Sequence, residues 1–139
     1  PDGTFIPDEI LLRAATSKLV ALLIGLAPDE ARDGDLWYSG LHRALVNAKI
    51  LKGTISPLTP EYRANFISLL VRAKGVDTTS LAACAEQQFT DVPSNVWYCS
   101  VLQYAVFKGW VRETSGRFNP TAAVTRGWAA GVLDRAFRQ

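Results

Sequence analysis

An all-α fold built from tandem helix-loop-helix repeats is predicted by three features of this chain. Pro7, Pro57 and Pro120 are each followed six residues later by an arginine (Arg13, Arg63 and Arg126), and a helix-like apolar run follows each arginine. The same register aligns Asp2-Gly3-Thr4-Phe5 with Ser115-Gly116-Arg117-Phe118, and Trp37-Tyr38 with Trp97-Tyr98; Ala44, Ala48 and Ile50 then match Ala105, Gly109 and Val111 after a one-residue gap. Period-two apolar alternation is scant, so little strand is expected.

In chain order, a Gly3-Thr4-Phe5-Ile6-Pro7 turn leads into a helix over residues 8–24, with Asp8 as its N-cap and Gly25 as its stop. Residues 27–36, with Pro28, Asp29, Asp33, Gly34 and Asp35, read as a loop. A second helix over 37–49 sets Trp37, Leu41, Ala44, Leu45 and Ala48 on one face and is closed by Gly53. Thr59, Pro60 and Glu61 supply a capping hydroxyl, a first-turn proline and a carboxylate suited to the positive helix end. That helix is predicted to reach Lys74 before Gly75, with Tyr62, Phe66, Leu69, Leu70 and Ala73 as its core stripe. The Thr-, Ser- and Ala-rich segment 76–88 is a connector with a short helical turn near 81–85. Helices over 97–108 and 125–137 complete the chain, on either side of a polar turn at 112–119.

At 139 residues and 48% hydrophobic, the chain can bury one ordinary core, so residues 1–139 are expected to form a single domain. Fifteen basic residues against 13 acidic ones, interspersed, give a net charge of +2, too weak a field to point to nucleic acid. The most apolar stretch, residues 19–27, is far too short for a bilayer-spanning helix. No signal peptide precedes it and the first residue falls inside a repeat, so a processed or cut piece of a longer chain is expected. Cys84 and Cys99 lie fifteen positions apart, outside any CxxC motif, and the lone His42 leaves no good metal set.

Phe89-Thr90-Asp91, Trp97, Ala105, Gly109, the Gly116-Arg117-Phe118-Asn119-Pro120 turn and Thr125-Arg126 occur in the order of the S-layer homology repeat, which this chain resembles over nearly its whole length. The match is strongest from Phe89 to Phe137, weaker from Asp33 to Lys74, and half a repeat long from Pro1 to Leu26. The resemblance implies a pseudo-threefold cluster of helical repeats with grooves between lobes, its first repeat incomplete. In these terms, residues 1–26 are the second half of a repeat, 27–75 a second repeat, 76–88 the connector and 89–139 a third. It implies an extracellular setting in the bacterial cell envelope, where Cys84 and Cys99 would form a disulfide fastening the connector to the next helix; two buried free thiols are the other reading.

In the family, a threonine-arginine-alanine-glutamate motif opens the second helix of each repeat. It is physically a capping box whose arginine points into the inter-lobe groove toward an anionic glycan. Thr125-Arg126 keeps the cap and the arginine, but Trp128 stands where the glutamate belongs. Arg13 and Arg63 lack both threonine and glutamate. Their nearest caps, Asp8 and Thr59, place them in the second helical turn, so structural or solvated roles are expected of them ahead of ligand contact, while Arg126 is the leading ligand contact, an ion pair or capping contact within the domain being its other reading. Trp37 and Trp97 can stack on sugar or wedge helices together, the wedge being favoured. Trp110 and Trp128 fall outside the family pattern, though Trp128 lies on the face predicted to be buried. Asp29, Glu30, Asp33 and Asp35 lack cation-loop spacing and read as a solvated loop. His42 reads as a surface or half-buried side chain.

With no nucleophile elbow, no phosphate-cradling loop and nothing that requires a cofactor, an enzyme is not expected. The expected role is non-catalytic anchoring to a cell-wall polysaccharide or peptidoglycan-linked polymer. The alternative is an assembly module of the same fold that packs against another protein chain. A partner chain is also expected to complete the first repeat, because the apolar face of residues 10–26 has too few neighbours.

Overall fold

The computed structural model describes residues 6–52, 56–85 and 87–138 and is all-α. Among the described residues five α-helices follow one another: α1 (Arg13–Leu23), α2 (Ser39–Asn47), α3 (Arg63–Ala73), α4 (Cys99–Phe107) and α5 (Arg126–Phe137). A 3-10 turn, Thr78–Ser80, lies between α3 and α4, a few residues before the turn expected near 81–85. Among the described residues there is no β-strand, and no helix is long and apolar enough to cross a membrane. The expected turn at 3–5 and the stop at Gly53 lie outside the described residues.

The starts of α1 and α3 correct the sequence reading. Neither Asp8 nor Thr59 is an N-cap: the helices begin at Arg13 and Arg63, after the extended residues Leu12 and Tyr62, and no side chain caps either one. The Thr59 hydroxyl instead bonds the Ser56 carbonyl, and Tyr62, expected in the core stripe, is exposed. The α2 and α4 helices likewise start two residues after Trp37 and Trp97. Of the five, α5 alone follows the capping rule, Thr125 Oγ1 accepting the Trp128 N–H at 3.2 Å. Gly25 and Gly75 end α1 and α3 as expected, both with the positive φ that glycine adopts without steric penalty.

Helices α1 and α3 need no side-chain cap because their free donors are satisfied by neighbouring chain. The segments before α1, α3 and α5 run extended and pair through three isolated antiparallel bridges, Ile10 with Thr125, Leu12 with Pro60, and Tyr62 with Ala123. At each junction the first helical N–H donates two residues beyond a proline: Arg13 to Thr59, Arg63 to Ala122, Arg126 to Glu9. The second donates to the proline itself: Ala14 to Pro57, Ala64 to Pro120, Gly127 to Pro7. A third set closes on itself, Leu11 N–H to Val124, Val124 N–H to Glu61, and Glu61 N–H to Leu11. The proline-to-arginine spacing read from the sequence is the spacing of this ring. A side chain at position 127 would press on Pro7, because a Cβ there would lie 3.2 Å from both the Cβ and the carbonyl oxygen of that proline; the junction falls on a glycine.

The core lies around the ring and α3, which packs on α1 and α4 and buries Phe66, Ile67, Leu69, Leu70 and Val71. Phe118, Val124, Val132 and Trp110 complete it. Asp91 fastens the turn ahead of α5, its carboxylate accepting the N–H groups of Phe118 at 2.9 Å and Asn119 at 2.8 Å. Phe89 packs on Phe118 beside that link. Cys84 and Cys99 form a disulfide that ties the connector to the first residue of α4. Arg43 of α2 reaches back to the loop before that helix, forking onto Asp35 at 2.7 and 2.8 Å and also reaching Asp29.

Replacing both cysteines by alanine should lower unfolding free energy by about 3 kcal/mol, the chain-entropy scale for a loop of this size, measured by urea titration. The acid limb of stability should report Asp35, whose hydrogen bond to Arg43 lowers its pKa from 3.8 to about 2. Its contribution is complete above 3.8 and lost as pH falls toward 2, so Asp35→Asn should flatten that limb in melts taken between pH 5 and pH 2.

Candidate functional site

Because the ring starts all three helices in one register, Arg13, Arg63 and Arg126 occupy the same first helical position. The placement of Arg13 and Arg63 in a second turn is thereby overturned. The ring also takes up the first two N–H groups of each helix, so an anion arriving there must be held chiefly by side chains. The three arginines differ in what surrounds them.

Arg63 is tied inside the protein. Its guanidinium lies 4.7 Å from the Trp128 ring centroid, donates to the Phe118 carbonyl at 3.0 Å, and pairs with Glu113 at 3.4 Å. Glu113 also accepts the Trp128 indole N–H at 3.1 Å, closing the cluster. Trp128 therefore serves as the plate under an arginine.

Arg13 stands at one end of a groove of about 340 Å³ between the α1–α2 and α3–α4 pairs. Lys52, Arg72, Asn65 and Trp97 line it, with the carboxylate of Glu61 at its inner wall. Three cations thus face one carboxylate. Arg72 is pinned by hydrogen bonds to the Ile50 carbonyl and the Ser68 hydroxyl. Trp97 is 60% exposed and meets Tyr98 edge to face, which leaves it available as a wall of the groove; the helix-wedging role expected of it does not hold. Glu61, only 4% exposed, lies 3.7 Å from Arg13 Nε and accepts from the Thr16 hydroxyl at 3.2 Å and the Tyr62 N–H at 3.0 Å. Burial raises its pKa above the ordinary carboxylate value against the opposing pull of these three partners. Sequence reasoning places Glu61 as a first-turn carboxylate at the positive helix end, whereas it precedes α3 and is buried; the available signal was that a charge stands where the other two repeats have Leu11 and Val124.

Arg126 stands in the equivalent place of a second groove, about 800 Å³, between α1 and α5. There the repeat register substitutes Leu11 for Glu61, Ala15 for Asn65, Lys18 for Ser68, Leu22 for Arg72 and Trp37 for Trp97. The lining is consequently apolar, and Leu19, Leu22, Leu23 and Trp37 are exposed. Trp37, also 60% exposed, is no more a wedge than Trp97. The Arg126 side chain is 40% exposed and pairs with Glu9 at 3.5 Å. The apolar face predicted on residues 10–26 is present.

The remaining candidates resolve simply. Trp110 is buried and offers no contact surface. His42 is half-buried on α2. Asp29 and Asp35 serve Arg43 and Arg32, and among the described residues no group of side chains is arranged to hold a metal ion.

No family model matches the chain. A Bacillus anthracis protein named an uncharacterized cell wall amidase is 27% identical over 143 residues, covering 96% of this chain and 27% of that protein. The chain therefore spans little more than a quarter of its relative's length.

Trp37→Phe and Trp97→Phe together should remove most of the iodide-quenchable fluorescence while changing stability by no more than about 0.5 kcal/mol, as befits exposed positions. Trp110→Ala should cost about 3–5 kcal/mol in chemical denaturation, the range for emptying a buried aromatic site.

Proposed function

We propose that this chain is a non-catalytic anchoring module of the S-layer homology type, which holds an anionic cell-wall polysaccharide outside the cell. The observation that carries the reading is the groove joining Arg13, Lys52 and Arg72 to the exposed face of Trp97. Guanidinium groups fork onto the carboxylate or phosphate oxygens of an acidic glycan, and an indole offers a plate for the apolar face of a sugar ring. Supporting it are the threefold ring, which suits the clustered repeats expected of that family, and the cell-wall designation of the Bacillus anthracis relative. The disulfide is compatible with an oxidising, extracellular setting. Arg126 becomes a secondary contact, because the helix start that favours it in the sequence is shared by Arg13.

A second reading has its own observation. The apolar groove between α1 and α5, with Leu22 64% exposed, suits packing against another protein chain. On that reading the fold is an assembly module.

Pull-downs with purified wall sacculi, with and without their attached polysaccharide, separate the two. Binding should require the polysaccharide, weaken with added salt, and fall by roughly 1.5–3 kcal/mol on Arg13→Ala, the range for a charged hydrogen bond. Wild-type protein that ignores sacculi but self-associates in sedimentation, with Leu22→Glu abolishing the association, would favour the assembly module.

A further inference from the structure

The groove at Arg13 contains its own anion. Resting on the glycan-groove reading, we infer that Glu61 is an internal competitor for the acidic group that Arg13 is placed to hold, so that affinity is set by whether Glu61 carries its charge. Three observations lead there. The residue occupies a ring position that is apolar in both other repeats, Leu11 and Val124, where the same backbone bonds close without a carboxylate. Its side chain turns into the groove wall, where the Tyr62 N–H and the Thr16 hydroxyl fix it beside Arg13. Arg13 keeps unused donor capacity: it pairs with the carboxylate at 3.7 Å, beyond hydrogen-bond reach, and its guanidinium lies 6.0 Å from the Tyr62 ring centroid, but its buried Nε has no hydrogen-bond partner. A ligand oxygen that engaged the guanidinium would lie close to Glu61 and be repelled by it.

The charged groups facing the pair come from several sides of the groove. Arg13 belongs to α1, Lys52 to the segment after α2, and Arg72 to α3, while the α4 side presents the uncharged Trp97 and Val101. Asp77, ahead of the 3-10 turn, is exposed and senses Lys52; its hydrogen bonds to Thr79 hold it below the ordinary carboxylate range. Glu61, pushed the other way by burial, is the group in the groove whose charge is removed first as pH falls. Neutralising it raises the positive charge of the groove, so an anionic ligand that stays ionised should bind more tightly on mild acidification.

The test uses a sulfated oligosaccharide, whose charge does not change over the range, with the desulfated sugar as control. Calorimetric titrations at pH 7.5 and pH 4.5 in low salt should show wild-type affinity rising about three- to tenfold on acidification, one decade corresponding to one unit of coupling between the two charges. Glu61→Gln, whose amide oxygen can keep the Tyr62 N–H while its NH2 donates to the Thr16 hydroxyl oxygen, should bind tightly at both pH values. Glu61→Leu, which restores the residue type of the other repeats, should do the same and guards against a folding defect specific to glutamine. Arg13→Ala should bind weakly and without the pH response. If both Glu61 variants bind with wild-type affinity and the wild-type pH slope, this inference is overturned and the glycan groove stands. If wild type binds no more sulfated than desulfated sugar at either pH, both fall.

Discussion

The structure depends on one closed circuit of backbone hydrogen bonds. Three extended segments meet near the centre, each giving the carbonyls that satisfy the first two N–H groups of a helix from a neighbouring repeat. Buried helix ends with unmet donors are costly, so this pairing fixes where α1, α3 and α5 begin and how they are oriented toward one another. Three junctions of the same kind close into a cycle.

From that constraint comes the equivalence of the arginines and then the difference between the grooves. The ring delivers Arg13, Arg63 and Arg126 to one structural position, while the side chains around each decide its chemistry. Arg63 is occupied by Trp128, Glu113 and the Phe118 carbonyl. Arg126 looks onto leucines, and Arg13 onto polar and cationic groups. A repeated backbone has thus been given three unlike environments by substitution at a few matched positions. Of these, Glu61 against Leu11 and Val124 changes the character of its site most, because a charge is placed where the fold accepts an apolar residue.

Much of the scaffold is legible in the residues alone. Helix identity, the stops at Gly25 and Gly75, the cap at Thr125 and the apolar face on residues 10–26 all rest on local chemistry or spacing, which a sequence displays directly. The errors share a cause. Asp8 and Thr59 are good caps by residue type, yet the donors they would have served are met by carbonyls from distant segments, and short-range rules carry no account of those. Trp37 and Trp97 fail as core residues for a related reason: each is excluded from the helix it precedes by two residues and packs edge-on against its neighbouring tyrosine.

The sequence by itself determined the repeat, its proline-to-arginine period and the all-α class, because these follow from residue spacing and the hydrophobic pattern. Cys84 and Cys99 were visible as a pair of candidates, but their bond is a matter of proximity in space. Only the tertiary structure decided which arginine faces which groove and that Glu61 is buried beside Arg13. Residues 13 and 61 are brought together by a hydrogen-bonded ring that joins segments far apart in the chain, and a contact of that kind depends on closure of the whole circuit rather than on either residue's neighbours in sequence.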